Sequence, residues 1–124
     1  FMNINTVRII GQVLENSWGR ESSPSGTYSV KYDLAGDLLT LKFTTVMHLA
    51  GEAAYGPQVS EANRQAVTLI NDKLATVKKA FKEATGSTLK TEDMGGKDDV
   101  ELIQPHASRR VAYYRYNHSF KIKN

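Results

Sequence analysis

The sequence predicts an α+β protein in which one long amphipathic helix packs on one face of an antiparallel β-sheet of four to six strands. Residues 57–86 repeat apolar side chains every three or four positions, as a helix with one buried face does. Segments before and after this helix alternate apolar and polar residues, as half-buried strands do. The expected element order is β-β-β-α-(β-β)-β, with residues 1–124 forming a single α+β domain.

The composition is that of an ordinary globular protein, with 40% hydrophobic and 23% charged residues. The chain contains no cysteine, which excludes disulfides and cysteine-bound zinc. No apolar run approaches the roughly 18 residues that a membrane-spanning helix needs, and we expect no signal segment. We therefore expect a soluble, cytoplasmic protein without a membrane partner.

The first segment is predicted to be a strand followed by a loop. Residues 4–14 are rich in β-branched side chains and partly alternate, which favours a strand. Gly11 in this segment would mark either a bulge or a point of close approach. Residues 15–26 combine serine, glycine, asparagine and proline, which predicts a long loop that contains Trp18.

The next segment carries the clearest local signal, which is that of a β-hairpin. Residues 27–34 and 37–48 both alternate apolar and polar side chains, and the stretch 34–37 (Leu-Ala-Gly-Asp) provides a turn between them. In the second strand, Leu39, Leu41 and Phe43 share one face. These residues are expected to form part of the core under the long helix.

The long helix is expected to start near Ser60, as an N-cap, and to end at Gly86, which suits the left-handed exit position. Asn63 falls inside the apolar stripe of this helix. The simplest explanation is that this end of the helix extends beyond the sheet. Residues 87–92 and 99–104 are expected to be two short strands joined by a turn over 93–98, and residues 110–123 to form the last strand.

One helix covers only one face of such a sheet, so the second face is the main candidate for function. The residues expected on this second face include several apolar ones, namely Ile10, Leu14, Leu38, Val46 and Val111. A half-apolar face in a chain without a catalytic motif predicts a non-enzymatic interaction or assembly module. Such a module would form a homodimer or other homo-oligomer, or dock on a larger protein assembly, through its open sheet face.

Single-stranded nucleic-acid binding is the first alternative. Residues 105–124 contain five basic residues and no acidic one, and basic groups with an exposed aromatic ring suit phosphates and unpaired bases. The residues proposed for this contact are Trp18, Arg20, Arg109, Tyr113, Arg115, Lys121 and Lys123. The competing explanation is that lysines on a final strand protect a sheet edge from aggregation.

A small-molecule binder or enzyme with a pocket between helix and sheet is the second alternative. The predicted lining consists of Tyr28, Tyr32, Phe43, Tyr114 and Tyr116. No catalytic residue, metal ligand or cofactor is assigned, because the histidines at 48, 106 and 118 are spread along the chain. His118 alternates with aromatic residues and is expected to be a half-buried core histidine. The acidic residues around 92–101 are expected to be a solvated hairpin tip.

Overall fold

The computed structural model describes residues 4–17, 20–23, 26–49, 56–106 and 109–123. The elements in chain order are α1 (Ile4–Ser17), β1 (Arg20–Ser23), β2 (Gly26–Ala35), β3 (Leu38–Leu49), α2 (Gly56–Thr85), β4 (Thr91–His106) and β5 (Arg109–Ile122). The strands form one antiparallel sheet in the order β1-β2-β3-β5-β4. The predicted α+β class with a long helix on an antiparallel sheet is confirmed, whereas the order of elements differs from the predicted one.

The centre of the sheet follows the predicted hairpin. β2 and β3 pair along their whole length, from Gly26 opposite Met47 to Ala35 opposite Leu38. Gly36 in the turn has a φ of 63°, a left-handed conformation that glycine adopts without a steric penalty. β5 then pairs with the other side of β3, and β4 lies outside β5 at the edge of the sheet.

Helix α2 provides most of the cover for this sheet. Its buried residues recur at helical spacing, and they are Ala62, Ala66, Ile70, Leu74, Val77 and Phe81. They belong to one core cluster with the alternating residues of β3 and β5, such as Phe43 and Tyr114. Burial of each large apolar side chain stabilises the fold by about 1.5–3 kcal/mol. The helix ends as predicted, since Gly86 has a φ of 75° and its N–H donates to the Lys82 carbonyl oxygen at 2.7 Å.

Residues 4–17 form helix α1, so the prediction of a first strand over 4–14 is wrong. The buried residues of α1 include Ile10, Val13 and Leu14, which recur at helical rather than alternating spacing, and α1 packs against α2. β-branched side chains favour strands only weakly, and packing of an apolar stripe overrides that preference. Gly11 is a point of close approach, because a Cβ there would lie 2.9 Å from the Tyr32 hydroxyl oxygen.

Two further segments differ from the prediction. Residues 20–23 of the predicted loop form the short strand β1, whereas Trp18 lies outside the described residues. The predicted pair of strands over 87–104 is the single strand β4, whose register shifts between Asp93 and Gly96. Gly95 has a φ of 89°, and its N–H donates to Asp93 Oδ1 at 2.7 Å. Met94 and Gly95, which lie opposite the single residue Ser119, thus form a β-bulge and do not reverse the chain.

Neither α1 nor α2 combines the length and the apolar content that a membrane span needs.

Candidate functional site: the two sides of strands β4 and β5

Both helices lie on the same side of the sheet, which leaves the other side, called here the open face, without a described element over it. Alternation along β3 and β5 places their buried residues under the helices and their polar residues on the open face. The open-face residues whose side chains are described are Ser29, Lys31, Asp33, Ala35, Leu38, Thr40, Lys42, Thr44, Val46, His48, Glu92, Lys97, Asp99, Glu101, Tyr113, Arg115, Asn117, Ser119 and Lys121. This face is therefore mainly polar.

Of the five apolar residues expected on the second face, Leu38 and Val46 lie there, whereas Ile10 and Leu14 do not. Ile10 and Leu14 are buried in the core on helix α1, so they cannot be part of the open face. Leu38 is 37% exposed at the start of β3, and Val46 is half-buried further along the same strand. Val111 lies in β5 opposite Ile103, in a stretch whose side chains are outside the description.

Four side chains form a compact group at one end of the open face. Val46 lies directly opposite Arg115, and His48 lies directly opposite Tyr113. The centroids of the His48 and Tyr113 rings are 5.4 Å apart, with 32° between the ring planes. We call Val46, His48, Tyr113 and Arg115 the anchor patch. Its residues combine apolar, aromatic and cationic surface within two adjacent strands.

Next to the anchor patch, the centre of the open face contains a hydrogen bond and two lysines in opposite positions. The Thr44 hydroxyl donates to Asn117 Oδ1 at 2.6 Å. Lys31 of β2 lies directly opposite Lys42 of β3. Two like charges in directly opposite positions destabilise a sheet. The Lys31–Lys42 pair therefore lowers the stability of the isolated chain.

The positive charge of β5 is largely matched by its neighbour β4. Arg115 lies opposite Asp99, and Lys121 lies opposite Glu92. Lys123, just beyond β5, places its Nζ 3.8 Å from Glu92 Oε2. The basic C-terminal segment therefore does not create a uniformly basic surface, because the acidic strand β4 lies beside it.

The other residues predicted for nucleic-acid binding are only partly placed. Tyr113, Arg115 and Lys121 lie together on the open face. Arg20 lies in β1 opposite Ser29, and Arg109 lies in β5 opposite His106. The side chains of Arg20 and Arg109 are outside the description, as is the whole of Trp18.

On the helix side of the sheet, polar groups replace the apolar core along β4. Asn63 of α2 donates through Nδ2 to the Tyr114 hydroxyl oxygen at 2.8 Å. The Tyr114 hydroxyl in turn donates to Asp98 Oδ2 at 2.9 Å. Burial, assisted by the nearby Asp98 carboxylate, raises the pKa of Tyr114 to about 12. The prediction that Asn63 lies beyond the sheet is wrong, because this residue connects α2 to β5 and β4.

A second polar network joins the β-bulge to β5. His118 lies between Asp93, whose Oδ1 is 2.6 Å from Nε2, and Tyr116, whose hydroxyl oxygen is 2.8 Å from Nδ1. The His118 ring also stacks on Phe120, with 4.6 Å between centroids. The Gly95 N–H and then His118 lower the pKa of Asp93. Burial and then the charges of Asp93 and Asp98 raise the pKa of Tyr116.

This second network attaches the edge strand to the sheet. The Tyr116 hydroxyl faces the β4 backbone so closely that a Cβ at Gly96 would overlap it. Tyr116 itself is buried. A hydroxyl enclosed in this way suits a structural hydrogen bond better than a reaction with a substrate. His48 and His118 do not converge either, since His48 lies on the open face and His118 on the helix side.

The residues of the predicted helix–sheet pocket lie mostly in the packed core. Tyr28 and Phe43 stack at 6.4 Å, and Phe43 meets Phe120 edge-to-face at 5.7 Å. Tyr114 and Tyr116 are buried as well, whereas Tyr32 is exposed. Among the described residues, no group of histidines and carboxylates is placed to hold a metal ion.

Sequence reasoning missed the two networks. The pattern that could have indicated them is the alternation of two tyrosines and a histidine over residues 114–118, together with the aspartate-rich segment 93–99 earlier in the chain. Alternating polar aromatic residues require hydroxyl partners when they face the core. The hydrogen-bond partners of these side chains depend on the pairing of β4 with β5, which the sequence pattern did not predict.

In comparisons with known proteins, the chain matches no family model, no curated protein and no solved structure.

Proposed function

We propose that this chain is a non-enzymatic assembly module that associates with a second copy of itself through the open face. The observation that carries the proposal is the anchor patch, in which Tyr113 and Arg115 lie beside His48 and Val46 on a sheet face that neither α1 nor α2 covers. Tyrosine and arginine are enriched among the residues that dominate binding energy at protein interfaces. The proposal involves no cofactor and no metal.

The charges on the open face suit pairing with an identical copy. Lys31, Lys42 and Arg115 lie on β2, β3 and β5, whereas Asp99 and Glu101 lie on β4. A twofold interface uses the same surface of both copies, so that the acids of one copy can face the cations of the other. A face of a single charge sign would instead repel its copy.

The size of the face also supports this use. Four strands of ten or more residues, β2 to β5, span an area of roughly 20 Å by 30 Å at ordinary strand spacing. Standard protein interfaces bury about 800 Å² on each partner. The open face therefore approaches the size that a specific dimer requires.

The experiment is a measurement of molecular mass by light scattering, together with sedimentation equilibrium at micromolar concentrations. We expect a dimer, and we expect Tyr113→Ala combined with Arg115→Ala to weaken it about tenfold or more. Lys79→Ala, at an exposed position of α2 on the other side of the sheet, is the control and should change the dimer dissociation constant little. A dimer that the double variant leaves unchanged would contradict the use of this patch.

Docking on a different protein of a larger assembly would use the same patch. A chain that stays monomeric at high micromolar concentration would exclude self-association and leave docking on a different protein as the proposed function.

We also propose a cytoplasmic location, since a chain without cysteine fits a reducing compartment.

Single-stranded nucleic acid is a second candidate because of one observation. The β3–β5 strip of the open face carries Lys42, Arg115 and Lys121, and the described side chains of that strip include no acid. Tyr113 offers an aromatic surface beside these cations. We expect salt-dependent binding of a labelled oligonucleotide in fluorescence anisotropy, abolished by Arg115→Glu with Lys121→Glu. Absence of binding at low salt would exclude this candidate.

A further inference from the structure

The two edges of the sheet differ greatly in length. β1 at one edge has 4 residues, whereas β4 at the other edge has 16. A short edge strand offers few backbone groups to another chain, and a long one offers many. In the described sheet β4 pairs with β5 on one side only. Its outer side therefore presents a long row of backbone donors and acceptors.

The usable part of this edge begins after the β-bulge. From Gly96 to Ile103, β4 keeps an uninterrupted register with β5. A regular run of this length measures about 26 Å at 3.3 Å per residue, which suffices for the addition of another strand. The bulge is held in place by the Gly95 N–H on Asp93 and by His118. The regular part of β4 therefore begins directly after a bulge that hydrogen bonds hold in place.

The side chains along this run define the kind of strand that fits. On the open side, Asp99 and Glu101 are exposed. On the helix side, Leu102 is 56% exposed and Val100 is half-buried, because the helices pack mainly over β2, β3 and β5. An incoming strand would therefore meet Lys97 and then two carboxylates on the open side, and the Asp98 carboxylate and then aliphatic surface on the helix side.

We propose that the outer edge of β4, over residues 96–103, binds an extended, basic segment of a partner protein by strand addition. Basic side chains of that segment would lie beside Asp99 and Glu101, and its apolar side chains would lie beside Leu102. A second copy of β4 fits this edge poorly, because β4 carries five acidic residues and one lysine, and would set acids against acids. This proposal uses the backbone edge of β4 and not the anchor patch, although it shares Asp99 and Glu101 with the charge pairing proposed for the dimer.

The test uses three labelled synthetic peptides and the full chain. The first alternates lysine and valine, the second alternates glutamate and valine, and the third alternates lysine and proline. We expect saturable binding of the lysine–valine peptide in fluorescence anisotropy, and at least tenfold weaker binding of the glutamate peptide. The lysine–proline peptide keeps the charge, but each proline lacks an N–H and is fixed at a φ of about −65°, far from the value of about −140° in an antiparallel strand, so this peptide should also bind at least tenfold more weakly.

Location is tested by hydrogen exchange and by substitution. The lysine–valine peptide should slow exchange of amides within 96–103 more than within β1. Glu101→Lys should weaken binding several-fold, whereas Asp33→Lys, a charge reversal on β2 of the open face, is the matched control and should not. The variant with Tyr113→Ala and Arg115→Ala should still bind the peptide, which separates this inference from the dimer proposal.

Several outcomes would overturn the inference. Equal binding of the lysine–valine and lysine–proline peptides would indicate electrostatic attraction without strand addition. Absence of binding would indicate that the charges and the bulge of β4 serve to block edge pairing, a protection that many sheets use. Equal effects of Glu101→Lys and Asp33→Lys would place the contact elsewhere.

Discussion

The two sides of the sheet are built from the same strands but are organised for different purposes. Toward the helices, β3 and β5 bury large side chains such as Phe43 and Tyr114. Along β4, polar hydrogen-bond networks replace this apolar core. Away from the helices, the same strands expose hydroxyls, an arginine and an aromatic pair. On that side Lys31 and Lys42 are opposed at a cost to stability. Stability therefore resides mainly on the helix side, whereas no described element covers the open side.

The largest expected difference is between core and open-face truncations on the same strand. Phe43→Ala should lower the free energy of unfolding by about 3–5 kcal/mol, because it leaves a cavity in the packed core. Val46→Ala, on the open face, should cost about 1 kcal/mol or less. Urea denaturation monitored by circular dichroism measures both values. Similar losses for the two variants would contradict the assignment of stability to the helix side.

A smaller effect is expected where β4 meets Tyr116. A Cβ at Gly96 would overlap the Tyr116 hydroxyl and lie 3.0 Å from His118 Nδ1. Gly96→Ala should therefore cost about 1–3 kcal/mol in chemical denaturation, since these buried groups have little room to move.

The companion variant Tyr116→Phe removes the overlapping oxygen. In that background Gly96→Ala should cost clearly less, which is a coupling that a double-mutant cycle measures. An unchanged cost of Gly96→Ala would show that the strain lies in the backbone of the bulge and not in the contact with Tyr116.

The bulge network also predicts a dependence on pH. The pKa of Asp93 is lowered in the folded state, so its ionised form stabilises the fold at pH values above the ordinary value of about 4. That contribution is lost as the pH falls through the lower, folded-state pKa. Asp93→Asn should destabilise the protein by about 1 kcal/mol near neutral pH, since the side chain is largely exposed. The difference should shrink in denaturation experiments at acidic pH.

The control for the pH dependence is Asp99→Asn, which changes a carboxylate of the same strand on the open face. A loss of stability with Asp93→Asn that is the same at acidic and neutral pH would contradict the role of the ionised carboxylate.

The smallest expected effect has the opposite sign. Lys42→Glu places an acid opposite Lys31 and should stabilise the fold by about 0.2–1 kcal/mol. Lys42→Gln removes only the repulsion and should give an intermediate value in thermal or urea denaturation. Destabilisation by Lys42→Glu would mean that the open face is already optimised for stability.

Much of the fold could be predicted because three segments each carry one clear period. The hairpin of β2 and β3, the helix α2 and the strand β5 all have a single buried face and a recognisable end. The segment of α1 carries β-branched residues whose spacing suits both a helix and a strand, so its composition pointed to the wrong element. Gly95 and Gly96 likewise fit a turn or a bulge equally well.

The candidate site was only partly predictable. Alternation along β5 separates Tyr113, Arg115 and Lys121 from the buried side of the strand, and the structure keeps them on one face. Their surroundings were not predictable, because the partner strands of β5 come from distant parts of the chain. The basic C-terminal segment lies beside the acidic β4, and that neighbour removes most of its expected excess of positive charge.

The sequence by itself determined the class of the protein, the long helix and the central hairpin, since these depend on local periodicity and turn chemistry. Only the tertiary structure decided that α1 is a helix, that β4 is a long edge strand and that Asn63 reaches Tyr114. Those features depend on which elements pack together, and a contact between residues far apart in the chain leaves no local signal. The two surfaces proposed for binding, the open face and the outer edge of β4, both arise from that packing.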